Sequence, residues 1–291
     1  MTTINTNIAA MTAANSIKTN DRSMAVAMER LSTGLRINSA SDDAAGLAIS
    51  TKMTSQIRGL DAAARNANDA ISMIQVADGA ASEITDMLQR MRELTVQSSN
   101  GVNSTTDRAN LDQEFVQLAL AIDKIAETTE FNGRKILNGD ADGTGDSIVT
   151  FQVGANSGAN EQLDVNFSDF NLGAFLTVPL EAPMAADLTS FTTDGIDETN
   201  FADTLTKLDG ALEGVASQRA TFGAAINTLE HTVDNLVTTS GNQSAARSQI
   251  LDADYAAETT ALARTQIISQ AGTAMLSQAN QAAQGVLALL R

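Results

Sequence analysis

Apolar side chains recur every three or four residues along the stretch from residue 44 to residue 99. An α-helix turns once per about 3.6 residues, so residues at this spacing lie on one face. Proline does not interrupt the stretch, and the predicted helix is roughly 80 Å long at about 1.5 Å per residue. A stripe of that length requires other helices packed along it. Its members are Ile49, Met53, Ile57, Leu60, Ala64, Ala67, Ile71, Ile74, Ala77, Ala81, Ile84, Leu88 and Met91.

Two further stripes predict helices that can cover the first one. A helix is predicted over about 106–128, with Thr106 or Asp107 as its cap. Another is predicted from Phe201 onward, with alternating steps of four and three residues. Arg219 is the one polar member of this stripe, so it requires a carboxylate partner or a head group that reaches solvent. The stripes are Leu111, Phe115, Leu118, Ile122 and Ile125, and Phe201, Leu205, Leu208, Leu212, Val215, Arg219, Phe222, Ile226, Leu229, Val233 and Leu236.

Both ends of the chain are also predicted to be helical. Residues 1–36 carry two short apolar stripes, and Gly34 permits a break before the capping residues Ser41, Asp42 or Asp43 of the long helix. After an interruption at Ser240-Gly241-Asn242, a final helix is predicted over about 247–290 with two adjacent apolar rows. Two rows are too wide for one partner helix, so association with further copies of the chain is the simplest way to cover them. The rows are Ile268, Ala271, Met275, Ala279, Ala282, Val286 and Leu289, and Leu276, Ala283, Leu287 and Leu290.

The middle of the chain changes to the period-two alternation of β-strands. Phe131-Asn132-Gly133 contains an Asn-Gly turn signal, and apolar residues alternate with polar ones over 149–153 and 163–167. One or two β-hairpins are therefore predicted between about 131 and 200. The predicted fold class is mainly α: long antiparallel heptad helices form a helical bundle or coiled coil, with a small β-hairpin region in the middle of the chain.

Composition argues against several classes of function. The net charge of −17 disfavours nucleic acid and anionic membranes as partners, because both bind basic surfaces. There is no cysteine and only one histidine, His231, so thiolate metal sites, HExxH zinc pairs and Cys–His nucleophiles have no candidates. No cofactor, metal or catalytic residue is predicted, and His231 is interpreted as a surface residue. Residues 1–21 lack a signal-peptide pattern, and polar amides interrupt the uncharged run at 265–290 too often for a membrane span.

The densest polar cluster on a predicted helix lies at residues 89–97. Arg90 and Leu94 share one helix face, as do Glu93 and Gln97, because each pair is four residues apart. One interpretation is a solvated face whose ion pair contributes little energy. The other is an interface hot spot, built from an arginine beside an exposed leucine. The residues alone favour the solvated face.

Long motifs at both ends of the chain carry a family resemblance. They are 4–7 (INTN), 29–38 (ERLSTGLRIN), 42–46 (DDAAG), 65–69 (RNAND), 89–97 (QRMRELTVQ), 131–133 (FNG), 253–255 (ADY) and 286–291 (VLALLR). With these motifs the chain resembles bacterial flagellin, the subunit of the flagellar filament, over about 1–140 and 205–291. Only about 60 residues separate Gly139 from Phe201, which leaves no room for the large variable outer domains of longer flagellins.

The resemblance implies an architecture and a set of partners. Residues 1–45 and 247–291 would form an inner terminal coiled-coil domain, disordered in the monomer and helical in the filament, and residues 46–246 would form the outer core domain. The protein would be exported unfolded by the flagellar type III apparatus and would polymerise extracellularly, with no enzymatic activity. Its further partners would be an export chaperone, a filament cap protein and hook–filament junction proteins. The resemblance assigns polymerisation and chaperone binding to the last helix, at Ile268, Met275, Leu276, Val286, Leu287 and Leu290.

The resemblance also implies an immune receptor site. In many flagellins the face formed by 89–97 is recognised by the Toll-like flagellin receptor of animals. Arg90, Leu94 and, on the neighbouring helix, Glu114 match the receptor-active form by residue type. The expected receptor or interface set is Gln89, Arg90, Glu93, Leu94, Gln97 and Glu114.

Two alternatives share parts of this pattern. A hook–filament junction protein has similar terminal helices, but the full motif at 89–97 and the ending at 286–291 argue against it. A type III secreted translocator is also helical and lacks a signal peptide. It requires a clean apolar hairpin of membrane length, which this sequence does not contain.

Overall fold

Five long helices dominate the computed structural model, which describes residues 6–141, 143, 145–170 and 201–288. The helices are α1 (Ile8–Thr33), α2 (Ala44–Ser98), α3 (Thr105–Thr128), α4 (Phe201–Leu251) and α5 (Tyr255–Ala288). Two antiparallel strand pairs join β1 (Glu130–Phe131) to β2 (Arg134–Lys135) and β3 (Ile148–Gln152) to β4 (Gln162–Asn166). The predicted mainly helical fold with β-hairpins is therefore confirmed. The portion of the predicted hairpin region at 171–200 lies outside the described residues.

The chain divides into two compact units. The terminal unit comprises Met1–Ile57 with Ser240–Arg291, and the central unit comprises Arg58–Thr239. The ranges of α2 and α4 extend into both units.

The predicted stripes of α2, α3 and α4 form the core of the central unit. On α2 the stripe from Ala67 to Met91 is buried except for the partly buried Ile71, whereas its first member, Ile49, is exposed. Arg219 of α4 donates from Nε to Oδ1 of Asp78 over 2.8 Å, and both side chains remain partly exposed. The arginine thus has the carboxylate partner and the access to solvent that its place in an apolar stripe requires. The largest fully buried helical side chains are Ile74, Ile84, Leu88, Met91, Leu94, Phe115, Ile122 and Phe222.

The strand pairs follow the turn chemistry of the sequence. Asn132 and Gly133 both have positive φ angles, 51° and 76°, as the tight connection between β1 and β2 requires. Strands β3 and β4 pair from Ile148 opposite Asn166 to Gln152 opposite Gln162. Just beyond β4, the ring of Phe167 lies 5.4 Å from that of Phe222 on α4, centroid to centroid. This contact anchors the end of β4 in the helical core.

Local capping residues set the helix ends. The predicted caps agree with the structure except at α3. Gly34 has φ 72° and ends α1 in a left-handed cap. Asp43 caps α2, since its Oδ1 accepts the backbone N–H of Gly46 at 2.9 Å. The predicted cap of α3 at Thr106 or Asp107 is wrong. Ser104 is the cap, and Asp107 completes a reciprocal capping box with it.

The predicted interruption between the last two helices is also wrong. The helix passes through Ser240-Gly241-Asn242 and ends at Leu251, so α5 begins at Tyr255 rather than at about 247. Glycine and serine weaken a helix by at most about 1 kcal/mol each, and without proline they do not end it. The actual break is stabilised by Asp254, whose Oδ1 accepts the N–H groups of Ala256 and Ala257.

Candidate functional site

Helices α1 and α5 pack against each other as an antiparallel pair in the terminal unit. The less exposed positions on both helices recur at alternating steps of three and four residues, as in a two-stranded coiled coil. The start of α1 contacts the end of α5, and the end of α1 contacts the start of α5. The heptad positions are Ala13, Ile17, Asn20, Met24, Ala27 and Leu31, and Glu258, Leu262, Thr265, Ser269, Gly272, Leu276 and Ala279.

Hydrogen bonds between side chains and backbone fix the register of the α1–α5 pair. Asn20 is only 8% exposed, and its Nδ2 donates to the carbonyl oxygen of Thr265 over 2.7 Å. At the start of α1, Nδ2 of Asn7 donates to the carbonyl oxygen of Ala279 over 3.1 Å. A sliding of one helix along the other would leave the buried Asn20 amide without its acceptor, which is costly.

Gly272 permits the close approach of the two helices. A Cβ atom at this position would lie 2.8 Å from Cγ1 of Ile17, closer than real Cβ contacts. The contact is with a β-branched side chain near its backbone, which has little freedom to move away. Gly272 is therefore required by packing and not by backbone conformation.

Gly272→Ala is expected to destabilise the α1–α5 pair by about 1–3 kcal/mol, because the added methyl group overpacks the contact with Ile17. Gly241→Ala is the matched control. Gly241 also lies within a helix of the terminal unit, but it has open space around its Cβ position, so alanine there should stabilise by up to about 1 kcal/mol. Urea unfolding of the self-assembled protein, followed by far-ultraviolet circular dichroism, measures both changes. Equal effects of the two substitutions would contradict the packing argument.

One face of each terminal helix has large apolar side chains in contact with solvent. Ile268 and Met275 of α5 are 48% and 65% exposed, and Ile267 beside them is also exposed. On α1, Ile8 and Met11 are exposed in the same way. The central unit buries its corresponding stripes, so this apolar surface is a property of the terminal helices.

The six residues assigned to the last helix fall into three groups. Leu276 lies at a heptad position packed on α1, whereas Ile268 and Met275 are exposed. The backbone of Val286 and Leu287 is part of α5, and their side chains lie outside what the structure describes. Leu290 also lies outside the described residues. In the described part of α5, α1 therefore packs on Leu276 and Ala279 and leaves Ile268 and Met275 exposed.

A second surface cluster is centred on Arg90 in the central unit. Arg90 contacts Glu114 of α3 at 2.9 Å and Glu93 of α2 at 3.0 Å. Hydrogen bonds to Glu114 and then to Glu93 raise the pKa of the Arg90 guanidinium. All three side chains are exposed, as are Gln89 and Gln97. The structure thus brings five of the six expected receptor residues to the surface.

The expectation of an exposed Leu94 is wrong, because Leu94 is fully buried in the core of the central unit. It lies three residues after Met91 and extends the α2 stripe by one more step. That spacing is visible in the sequence, but the predicted stripe ends at Met91. Leu94 therefore supports the Arg90 cluster from beneath the surface.

An ion pair not predicted from the sequence involves Arg92, two residues after Arg90 on α2. Nε of Arg92 donates to Oδ1 of Asp209 on α4 over 2.7 Å. The hydrogen bond from Arg92 lowers the pKa of the Asp209 carboxyl group. The two residues are far apart in sequence, and each lies on the polar face of a predicted helix, so periodicity carries no signal for the pairing.

No chemical centre stands out in the part of the chain that the structure describes. Within 6–141, 143, 145–170 and 201–288, no three histidine, cysteine, aspartate or glutamate side chains are grouped so that they could hold a metal ion. None of the described helices is both long and apolar enough to cross a membrane. His231 lies exposed on α4.

Comparison with known proteins identifies the family. The family described as the bacterial flagellin N-terminal helical region matches residues 4–142, and the bacterial flagellin C-terminal helical region matches residues 205–290. The chain belongs to the flagellin family. The two matches cover α2 and α3 completely and include the described parts of α1 and α5.

Full-length relatives agree with this assignment. The chain is similar to the flagellin of Halalkalibacterium halodurans, with 47% identity over 99% of both chains. It is 43% identical to the flagellin of Bacillus subtilis, again over 99% of both. Among solved structures, a Vibrio parahaemolyticus protein described as a flagellar hook-associated protein has a TM-score of 0.59 at 13% identity and covers 72% of this chain and 100% of that one. This last likeness shows a shared fold only.

Family membership establishes the general role of the protein. Flagellins are structural subunits that polymerise into the flagellar filament, which is extracellular and serves motility. This flagellin is accordingly a structural protein and not an enzyme.

Proposed function

We propose that the terminal helices of this flagellin make the subunit–subunit contacts of the filament. In this proposal residues 1–45 and 247–291 form the inner coiled-coil domain, and residues 46–246 form the outer core domain. The supporting observation is the open apolar row of α5, where Ile268 and Met275 are about half or more exposed in the single chain. Burying such side chains stabilises by about 1.5–3 kcal/mol each, which favours packing against neighbouring copies.

Ile268→Ser tests this proposal. The variant should remain soluble after seeding with filament fragments, whereas the unchanged chain should sediment as long filaments. The matched control is Ile148→Ser on β3, which makes the same chemical change at a similarly exposed residue of the central unit, 43% against 48%. The control should polymerise. If Ile268→Ser polymerises as well as the control, the contacts lie elsewhere.

The hook–filament junction protein is the alternative role within the same assembly. A junction protein would bind the ends of preformed filaments and would not extend them. Negative-stain microscopy of the seeded reaction distinguishes the two roles by filament length. Growth to long, uniform filaments supports the subunit, and capped seeds of unchanged length support the junction protein.

We further infer that the terminal helices are disordered in the monomer and become helical in the filament. The pairing of α1 with α5 buries few side chains, since only Asn20 and Ala27 of α1 are buried. Ordering a residue costs about 1–2 kcal/mol of backbone entropy, which two buried small side chains do not offset. Hydrogen exchange in the soluble subunit should therefore be fast over α1 and α5 and slow over α2. Equal protection of all three helices would contradict this inference.

The same marginal stability supports export in an unfolded state. The chain contains no cysteine, so no disulfide opposes unfolding. We propose the flagellar type III apparatus as the route, an export chaperone that covers the open row of α5, and the filament cap and junction proteins as partners at the filament ends. The chain should be absent from the medium of cells that lack the apparatus. Its secretion there would overturn the proposed route.

We propose the Arg90 cluster as the surface recognised by the Toll-like flagellin receptor of animals. The contact residues are Gln89, Arg90, Glu93, Gln97 and Glu114, with Leu94 as buried support. Arginine is enriched among the residues that dominate protein–protein interfaces. The cluster also joins two helices, so it presents one preformed charged surface.

Arg90→Ala is expected to lower receptor activation by monomeric protein by about tenfold or more, as for a dominant interface residue. Arg92→Ala is the control, because Arg92 lies two residues away and therefore points to a different side of α2. A reporter-cell dose series measures both variants. Equal potency of Arg90→Ala and the unchanged chain would reject the site, and equal losses in both variants would indicate a general change in α2.

A further inference from the structure

Methionine side chains are distributed unevenly between the two units. Met11 and Met28 of α1 and Met275 of α5 are 58%, 56% and 65% exposed. Met73 and Met91, both on the part of α2 that belongs to the central unit, are buried. The other described methionines, which are intermediate in exposure, are Met24, Met53 and Met87. Among the described residues, the most exposed thioethers therefore all lie on the terminal helices.

Within the described part of the chain, these thioethers are the most readily oxidised groups on the surface. The chain has neither cysteine nor tryptophan, so a hydroperoxide meets no thiol or indole. In the reaction, the methionine sulfur attacks one peroxide oxygen, the O–O bond breaks, and an S–O bond forms. The sulfur loses two electrons to become a sulfoxide, and hydrogen peroxide is reduced to water.

For Met275 and Met11, the change in polarity falls on the open apolar faces. Met275 lies two helical turns after Ile268 on α5, and Met11 lies one turn after Ile8 on α1. A thioether packs as a flexible apolar group, whereas a sulfoxide is polar and is costly to bury without a hydrogen-bond partner. Oxidation would therefore oppose the packing of these faces against another copy.

We propose that Met11, Met28 and Met275 form an oxidation-sensitive set that controls whether a free subunit can join the filament. The proposal rests on the proposed role of the terminal helices in subunit contacts. In the free subunit the set is open to peroxide, and its oxidation blocks addition. In the filament, neighbouring copies cover the set, so an existing filament survives an oxidant that stops its growth.

The first test measures where and when oxidation occurs. Full-length soluble subunits and preformed filaments are exposed to hydrogen peroxide, and sulfoxide at each methionine is followed by peptide mass spectrometry. In the subunit, Met11, Met28 and Met275 should be oxidised at least about tenfold faster than Met73 and Met91. In the filament, oxidation of these three methionines should be slower than in the subunit by a similar factor. Equal rates in subunit and filament would overturn the proposal.

The second test measures the consequence for assembly. Peroxide-treated subunits should stay in the supernatant after seeding, at a concentration at least about tenfold above that of untreated protein. Treatment with the two methionine sulfoxide reductases and dithiothreitol should restore sedimentation. The reductant has no disulfide to act on, because the chain has no cysteine. Full assembly of protein that is oxidised at all three positions would reject the proposal.

Leucine variants assign the effect to particular residues. Met11→Leu, Met28→Leu and Met275→Leu together keep apolar volume and remove the oxidisable sulfur, so this variant should assemble with or without peroxide. The control carries Met24→Leu, Met53→Leu and Met87→Leu and should remain peroxide-sensitive. If the first variant loses assembly after peroxide as the unchanged chain does, the set is wrong. If the first leucine variant does not assemble even without peroxide, it cannot serve as the test. Reductase rescue of the unchanged chain then decides whether sulfoxide formation blocks assembly.

The Ile268→Ser variant separates failure of this proposal from failure of the proposed function. If Ile268→Ser assembles normally, the terminal faces are not the contacts, and both proposals fall. If Ile268→Ser is defective while fully oxidised subunits still assemble, only the oxidation proposal falls.

Discussion

Leu94→Ala is expected to lower the free energy of unfolding of the central unit by about 2–5 kcal/mol, because it leaves a cavity in a well-packed core. Leu94 is fully buried and belongs to the cluster that includes Leu88, Met91 and Phe115. Urea unfolding followed by far-ultraviolet circular dichroism measures the change. Hydrogen exchange of peptides from α2 and α3 assigns it to the central unit.

Val96→Ala is the control for Leu94→Ala. Val96 lies two residues further along α2 and is about half exposed, so its truncation should change stability by no more than about 0.5 kcal/mol. If Leu94→Ala is as mild as Val96→Ala, Leu94 faces solvent and the expectation from the sequence was right after all. A large loss of stability would mean that reduced receptor activation by Leu94→Ala reports a damaged support and not a lost contact.

The helices could be predicted from the sequence because their burial is periodic. The stripes of α2, α3 and α4 pack together in one core, so apolar positions recur every three or four residues over many turns, with Arg219 as the one polar member. A charged residue is tolerated at Arg219 in the α4 stripe because Asp78 pairs with it at the edge of the core. The Asn132-Gly133 turn was predictable for another reason: few other residues accept positive φ angles at both positions.

The misplaced break between α4 and α5 and the unpredicted register of α1 on α5 both depend on tertiary contacts. The break between α4 and α5 is held by pairing with the segment after α1, where the backbone N–H of Arg36 donates to the carbonyl oxygen of Leu251. Such a pairing of distant segments leaves no local signature, whereas Ser240-Gly241-Asn242 has the composition of a break. The register of α1 on α5 depends on a hydrogen bond from Asn20 to Thr265, and heptad spacing alone does not specify it.

The contrast between buried and open stripes connects the fold to assembly. In the central unit, each long helix finds its partners within the same chain. In the terminal unit, α1 packs on Leu276 and Ala279 of α5, and Ile268 and Met275 stay exposed. A sequence with two rows on one helix indicates this arrangement, because a second row without an internal partner is destabilising in water unless another copy covers it.

Phe222→Ala is expected to destabilise the central unit by about 3–5 kcal/mol, the range for removal of a fully buried phenylalanine ring. Phe222 is fully buried on α4 and lies against Phe167, just beyond β4. The truncation therefore removes core volume and also the anchor of the β3–β4 pair. Fast hydrogen exchange in β3 and β4, under conditions where α2 stays protected, would show that this anchor is lost first.

A double-mutant cycle separates the ring contact from simple burial. The aromatic pair should contribute a coupling energy of about 0.5–1.5 kcal/mol between Phe222→Ala and Phe167→Ala. Phe201→Ala is the control, because Phe201 is only partly buried at the first residue of α4 and has no such partner among the described ring contacts. Phe201→Ala should lower the free energy of unfolding much less than Phe222→Ala does. If the two core substitutions are strictly additive, the hairpin is held by its backbone pairing, and Phe222 acts only by filling volume.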